Sequence, residues 1–314
     1  MSGELSVTIT DIDGVTKTFG ADKTAELYFT KERYTPFTYF KGTFIEPITN
    51  KRVKEVCLYR DSDLLHCGTG DSVEYFSERG TPKLKITSYG YSKQLGQDFA
   101  EPGIIPTPTL DTIISGAGVY GVSCQQNTST VPYVYYEEKT TVWDAACIYS
   151  MKAYQKYPFI RGADTVLCSL PSAEQQTFQR SASSLVRCGK GQRLGNIFSD
   201  VYTQDLNGNW TYHLGNSFAA AHNITRAKYY PPEREWVYDL NDQLKYYMYF
   251  SDRGREYISA TFQGYLGEDL CDKETLALPN YTGTPEISKL TVRASPAGVF
   301  TDLQFYFDSF CNNT

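Results

Sequence analysis

Leu5-Ser6-Val7-Thr8-Ile9-Thr10-Asp11-Ile12-Asp13-Gly14-Val15-Thr16-Lys17-Thr18-Phe19 is the stretch from which the fold is read. Leu5, Val7 and Ile9 recur at every second position, the period that turns one face of a strand toward a core. Asp11-Ile12-Asp13-Gly14 then interrupts the alternation with turn residues, and Val15 to Phe19 resumes it. A β-hairpin is predicted, and the same pattern continues beyond it. Apolar runs at Ala25/Leu27/Phe29, at Phe37 to Ile45 with a break at Gly42, at Val53 to Tyr59 and at Leu84/Ile86/Ser88 are separated by Pro, Gly and Asp turns. This spacing predicts a small barrel or sandwich over residues 1–90.

The middle of the chain reads differently. Asp98 to Pro108 carries three prolines, and Thr109 to Ser115 suits a short helix. A longer helix is predicted from Thr141, whose hydroxyl can cap the chain with Asp144 three residues on, a capping-box spacing. Trp143, Cys147, Met151 and Tyr154 follow as one helical stripe that stops before Pro158, and such a stripe is read as core. Beyond about residue 180 the strand pattern returns. Val201 to Leu206 and Trp210 to Leu214 flank Asn207-Gly208, a strong hairpin signal. Leu244 to Phe250 and Arg255 to Phe262 around Ser251-Asp252-Arg253-Gly254 read as another hairpin, and Thr301, Leu303, Phe305 and Phe307 alternate strictly.

Composition narrows the function. The 314 residues suggest two compact domains, and 41% hydrophobic residues are enough for real cores. Thirty Lys+Arg against 36 Asp+Glu leave a net charge of -6, which argues against affinity built on phosphate neutralisation. Aromatics make up 15% of the chain, with 26 tyrosines, a bias toward strands and interfaces. The start MSGELSVTIT has no signal-peptide features, and no stretch approaches the roughly 20 apolar residues of a membrane span. Without a signal, the eight cysteines are expected reduced and packed as small hydrophobes. The sequons at Asn127, Asn209, Asn223, Asn280 and Asn312 are discounted for the same reason.

Chemistry-bearing patterns are scarce. The histidines are His66, His213 and His222, and adjacent His66 and Cys67 should point to opposite faces of a strand. Gly189-Lys190-Gly191-Gln192-Arg193-Leu194-Gly195 lacks the endings and spacing of a phosphate loop and reads as a turn. Asp11-Ile12-Asp13-Gly14 starts like a calcium loop, but Thr16 stands where Gly is needed and Asp22 where a bidentate Glu belongs. Glu233, Glu235 and Asp239 around Trp236 offer paired carboxylates beside an aromatic, the minimum for glycoside chemistry. The reading expects no catalytic, cofactor-binding or metal residues and no enzyme.

Three stretches carry a resemblance. Ser88-Tyr89-Gly90-Tyr91-Ser92-Lys93-Gln94-Leu95-Gly96-Gln97 with Glu101-Pro102-Gly103 is similar to the junction segment of central baseplate hub proteins of contractile phage tails and phage-tail-like bacteriocins. Leu65-His66-Cys67-Gly68-Thr69-Gly70-Asp71 resembles the preceding hub strand and turn. Gly264-Tyr265-Leu266-Gly267-Glu268-Asp269-Leu270-Cys271-Asp272 resembles a third hub segment, and the order of modules agrees over most of the chain. The resemblance implies a β-rich α+β chain with two small tube-type β-barrel domains and an α-containing insert between them. Residues 1–90, 91–180 and 181–314 are the expected segments, partly interleaved.

Such a hub would be a homotrimer adapting a hexameric tail tube to a trimeric central spike. Its partners would be the tail tube protein, the spike, wedge or LysM-type baseplate proteins and the tape measure, with neither nucleic-acid specificity nor membrane insertion. It would reside in the baseplate of a virion or tail-like particle assembled in the bacterial cytoplasm. The resemblance transfers no individual contact residue. The alternatives are a carbohydrate-binding or glycan-cleaving β-protein and the hub of a non-contractile tail.

Overall fold

The opening hairpin forms where the alternation places it: β1 (Leu5–Asp11) pairs antiparallel with β2 (Thr16–Phe19). Asp11 closes the turn by accepting from the backbone N–H of Asp13 and Val15, each at 2.9 Å, and Gly14 takes a φ of +82°. The computed structural model describes residues 3–45, 52–126, 129–205, 207–279 and 281–308. Leu206, Cys311 and the sequons at Asn127, Asn280 and Asn312 lie outside the described residues.

Five more strands follow in the first segment: β3 (Thr24–Glu32), β4 (Tyr39–Ile45), β5 (Val53–Arg60), β6 (Asp63–Glu78) and β7 (Thr81–Gly90). They join one eleven-stranded sheet in the order β2-β1-β5-β6-β7-β4-β3, followed by Lys289–Ser295, Gly298–Tyr306, Glu256–Gln263 and Leu185–Gln192. The seam is β3 against Lys289–Ser295, with Phe29 opposite Val292, so the two ends of the chain share a single sheet. It curls around an apolar interior in which Val7, Phe29, Phe40, Phe44, Ile86, Leu290, Leu303 and Phe305 are fully buried. Each such side chain contributes about 1.5–3 kcal/mol relative to exposure.

The middle segment builds its own core. Helix α1 (Leu110–Gly116) is capped by the Thr109 hydroxyl, and α2 (Val142–Tyr154) carries the full capping box of Thr141 and Asp144. Trp143, Cys147 and Met151 are buried on α2, packed with Leu110, Val134, Tyr157 and Ile160. Two further helices are α3 (Ser217–Ala221) and α4 (Leu240–Ser251). Trp236, just before α4, inserts into this same core. Among the described residues no helix is long and apolar enough to cross a membrane.

Several local expectations change. Leu244 to Phe250 is not a strand but most of α4, because Asp239 caps Asn241 and Asp242, and Leu240, Leu244, Met248 and Ser251 are buried at helical spacing. Gly189-Lys190-Gly191-Gln192 is strand, paired with Glu256–Gln263, rather than a turn. Gly42 does not break β4. Its missing side chain leaves room for the rings of Phe40 and Phe44, whose nearest atoms would lie 2.8 and 2.6 Å from a Cβ there. The expected turn after Leu65 is a bulge between Gly70 and Ser72, past which β6 runs on to Glu78. The Asn207-Gly208 hairpin forms between Asp200–Thr203 and Tyr212–Gly215, with a longer loop than the two-residue turn expected. Asp205 organises it by accepting from Asn207 and Asn209, and Gly208 has φ +85°.

Cys147, Cys168 and Cys271 are buried free thiols whose pKa values are raised by burial, as packed small hydrophobes should be. Cys57 and Cys67 correct the expectation. The register of β5 and β6 sets them opposite each other, and they form a disulfide.

Candidate functional site: a polar junction under the curled sheet

Leu27, Phe29, Lys31 and Arg33 alternate with partly exposed residues along and just beyond β3, so the inward row of that strand changes from apolar to cationic. Lys31 is buried, pairs with Asp269 and donates to the Gly162 carbonyl at 3.1 Å. The Gly162 N–H in turn donates to Asp269 at 2.8 Å. Arg161 reaches the Leu270 carbonyl at 2.8 Å and Asp272 at 3.0 Å. Asp164 accepts from the Ser92 N–H at 2.9 Å. One tight turn, 161–164, between the short strands Phe159–Arg161 and Thr165–Leu167, therefore ties the first sheet segment to the 264–272 loop.

A second relay runs beside it. Ser88 Oγ donates to the Thr69 carbonyl at 2.8 Å, so it accepts from His66 Nε2 at 2.9 Å, and His66 Nδ1 accepts the Thr38 hydroxyl proton at 2.7 Å. His66 is fully buried on the core side, its ring near Phe29 and Phe40. Burial, with Lys31 adding to it, lowers its pKa to about 3 and keeps it neutral. Cys67 points away from this core, as strand alternation requires. Gly90 belongs to the same contact: a Cβ there would lie 2.6 Å from Thr38 Oγ1 and 2.8 Å from Asp164 Oδ1.

Acidic groups here are paired with cations or have pKa values raised by burial. Arg180 lies over the Phe262 ring, pairs with buried Glu268, and has Nε 4.0 Å from Glu274. Both Glu274 oxygens are buried without a hydrogen-bond partner among the described residues, and burial raises its pKa to about 7. Burial likewise raises Asp164 to about 6, against the opposing Ser92 hydrogen bond. Such an arrangement locks segments together.

The suspected glycosidic cluster is structural too. Trp236 is 2% exposed, Glu235 is buried against Lys152, Glu233 accepts from Tyr247, and Asp239 caps α4. The Trp236 ring is buried, while Tyr238 beside it is exposed. His213 pairs with Asp200 at 2.8 Å, and His222 lies in hydrogen-bond range of the Phe218 carbonyl and of Gln192. Lys31, Arg161, Gly162 and Asp164 are the residues that sequence reasoning misses. The available signal was Lys31 and Arg33 at the inward positions of a strand that begins Leu27, Phe29.

Outside the junction, large apolar side chains stand exposed, among them Phe99, Ile104, Tyr120 and Tyr238. Among the described residues the sheet has open edges: β2 and Leu185–Gln192 end it, and β6 pairs with β5 only as far as Gly68.

No family model and no curated protein matches the sequence. Solved structures do match. A tail protein from Neisseria meningitidis MC58 superposes with TM-score 0.72 at 13% identity, covering 98% of each chain. The 43 kDa tail protein of prophage MuSo2 from Shewanella oneidensis gives 0.70 at 10% identity, covering 96% of this chain and 98% of its own. The chain has the fold of these tail proteins. The E. coli c3393 protein, a type VI secretion component described as structurally similar to the T4 tail proteins gp27 and gp5, gives 0.51 at 9% identity, covering 92% and 74%. Within this tail-protein fold the three stretches that carry the resemblance meet at one place: Ser88 and Ser92, His66 and Thr69, and Asp269 to Asp272 all belong to the junction.

Proposed function

We propose that the protein is a structural hub of the baseplate of a contractile tail or tail-like injection particle, without enzymatic activity. The observation that carries this reading is the two-way, near-complete coverage of tail proteins by this chain. It works as a homotrimer between a hexameric tail tube and a trimeric spike, with wedge or LysM-type baseplate proteins and the tape measure as neighbours. Residues 1–90 and 181–314 supply two tube-type domains, and 91–180 the connecting insert. The open edges of the sheet and the exposed aromatics support assembly, since unpaired strand edges are normally covered by a neighbour. The locked junction supports it as well, because a ring that transmits force needs its two β-segments held rigidly.

Particles sedimented from a producing culture test this. Co-sedimentation of the chain at a few copies per particle, far below the tube subunit, is expected. A chain left wholly in the supernatant overturns the reading. A sheath protein in the same particles distinguishes a contractile tail from a non-contractile one.

A further inference from the structure

The face of β5 and β6 that points away from the core carries a second convergence of chemistry. Cys57 Sγ, Cys67 Sγ and a carboxylate oxygen of Glu55 lie within 4.8 Å of one another. Cys57 and Cys67 are register partners, and Glu55 precedes Cys57 by two residues on the same face. Among the described residues this is the one group of three such donors so closely placed.

Its surroundings are built. Glu55 Oε1 accepts the Tyr91 hydroxyl at 2.8 Å, which leaves Oε2 turned toward Cys57 Sγ at 3.6 Å. The Tyr91 ring is held edge-on by Tyr120 at 5.1 Å and lies so close to Gly121 that a Cβ there would be 2.7 Å from it. A carboxylate fixed through its second oxygen by a clamped phenol is the support that metal-ligating groups use.

We propose that the reduced Cys57–Cys67 pair and Glu55 form a binding site for a thiophilic divalent cation of the zinc type. Two thiolates and one carboxylate suit such an ion, with water completing a tetrahedron. Two molecules of a low-molecular-weight thiol open the disulfide in turn, the first through a mixed disulfide that the second resolves, delivering two electrons and two protons to the S–S bond and leaving joined to each other as a disulfide. Binding of the cation then releases the two thiol protons to solvent. The site ties β5 and β6 to Tyr91 at the start of the 3-10 turn Tyr91–Gly96, and it stands independently of the role proposed in the particle.

The full chain, reduced with excess thiol and freed of it without air, is titrated with Co(II) and then with Zn(II). Uptake of one Co(II) per chain with a thiolate-to-cobalt charge-transfer band, displaced by Zn(II), is expected. Tyr91→Phe should weaken binding by about 10- to 100-fold while the metal-free melt is kept. Glu55→Gln should weaken it at an unchanged count of reactive thiols, and it decides the matter should Cys67→Ser fold poorly. Three results overturn the proposal: a disulfide that the thiol does not open in the folded chain, free thiols without metal uptake, or uptake unchanged in Glu55→Gln and Tyr91→Phe.

Discussion

Inside the curled sheet, Phe29, Phe40, Leu303 and Phe305 belong to one apolar core, while two residues beyond Phe29 on β3 the same inward row meets Asp269 and Gly162. The first region is non-directional and tolerates any well-fitting apolar side chain; the second is specific, because each buried charge has one geometry that satisfies it. Stability and shape are thus assigned to different places. The dry interior supplies most of the favourable free energy, and the junction decides how the 159–167 strand pair and the 264–272 loop sit against the sheet.

The largest effect expected comes from removing the close approach at the junction. Gly68 faces Gly90 across β6 and β7, and a methyl group on Gly68 would overlap the Tyr89 carbonyl oxygen. Gly68→Ala should cost at least about 3 kcal/mol by denaturant unfolding, since backbone cannot yield as a side chain does. A variant with wild-type midpoint would show that the strands do not approach so closely.

Next, Phe305→Ala and Lys31→Met should each cost about 3–5 kcal/mol, one by cavity, the other by stranding Asp269. The comparison predicts different rescue. Adding Asp269→Asn to Lys31→Met should recover much of the loss, because the charge disappears while an acceptor for the Gly162 N–H remains. Strict additivity of the two substitutions would remove the distinction between the regions.

Acid–base titration gives a third, smaller effect. Glu274 is raised from 4.5 to about 7, so its contribution to stability is complete below about pH 4.5 and is lost as pH rises toward 7. His66 is lowered from 6.5 to about 3, so the unfolded chain takes up a proton that the folded one refuses, and stability falls as pH drops below 6.5. The two oppose each other between about 4.5 and 6.5. Glu274→Gln should therefore gain on the wild type as pH rises through that window, by at most about 1.4 kcal/mol per pH unit. Parallel stability curves for the two proteins would place the Glu274 proton elsewhere.

The smallest change lies far from both regions. Gly208→Val, at φ +85° with open space around it, should cost about 1–2 kcal/mol from backbone strain alone, and Gly208→Asn less. Equal melting of all three chains would contradict the left-handed turn.

What was legible in the sequence follows the range of the forces. The β1–β2 hairpin, the short helix expected over Thr109 to Ser115 and the Thr141–Asp144 capping box are decided within a few residues, and all three form. α4 was misread because Tyr246, Tyr247 and Tyr249 suggest strand, while burial of Leu240, Leu244 and Met248 on one side favours helix. Gly189 and Gly191 read as turn residues yet sit in a strand whose partner, Glu256–Gln263, lies some seventy positions away. The ligand set Glu55, Cys57 and Cys67 matches no short motif, since its third member comes from the neighbouring strand.

The sequence by itself determined the β-rich class, the helices near Thr109 and Thr141 and the opening turn, because period, capping and turn chemistry are local properties. Tertiary structure alone decided that β3 lies beside Lys289–Ser295, with Thr30 and Thr291 hydroxyls 2.9 Å apart across 261 positions. It alone also decided that Lys31, Arg33 and the side chain of Arg180 could be buried. A charge leaves water only where its counter-charge is already held in place, and that placement exists only once the sheet has closed over the loop.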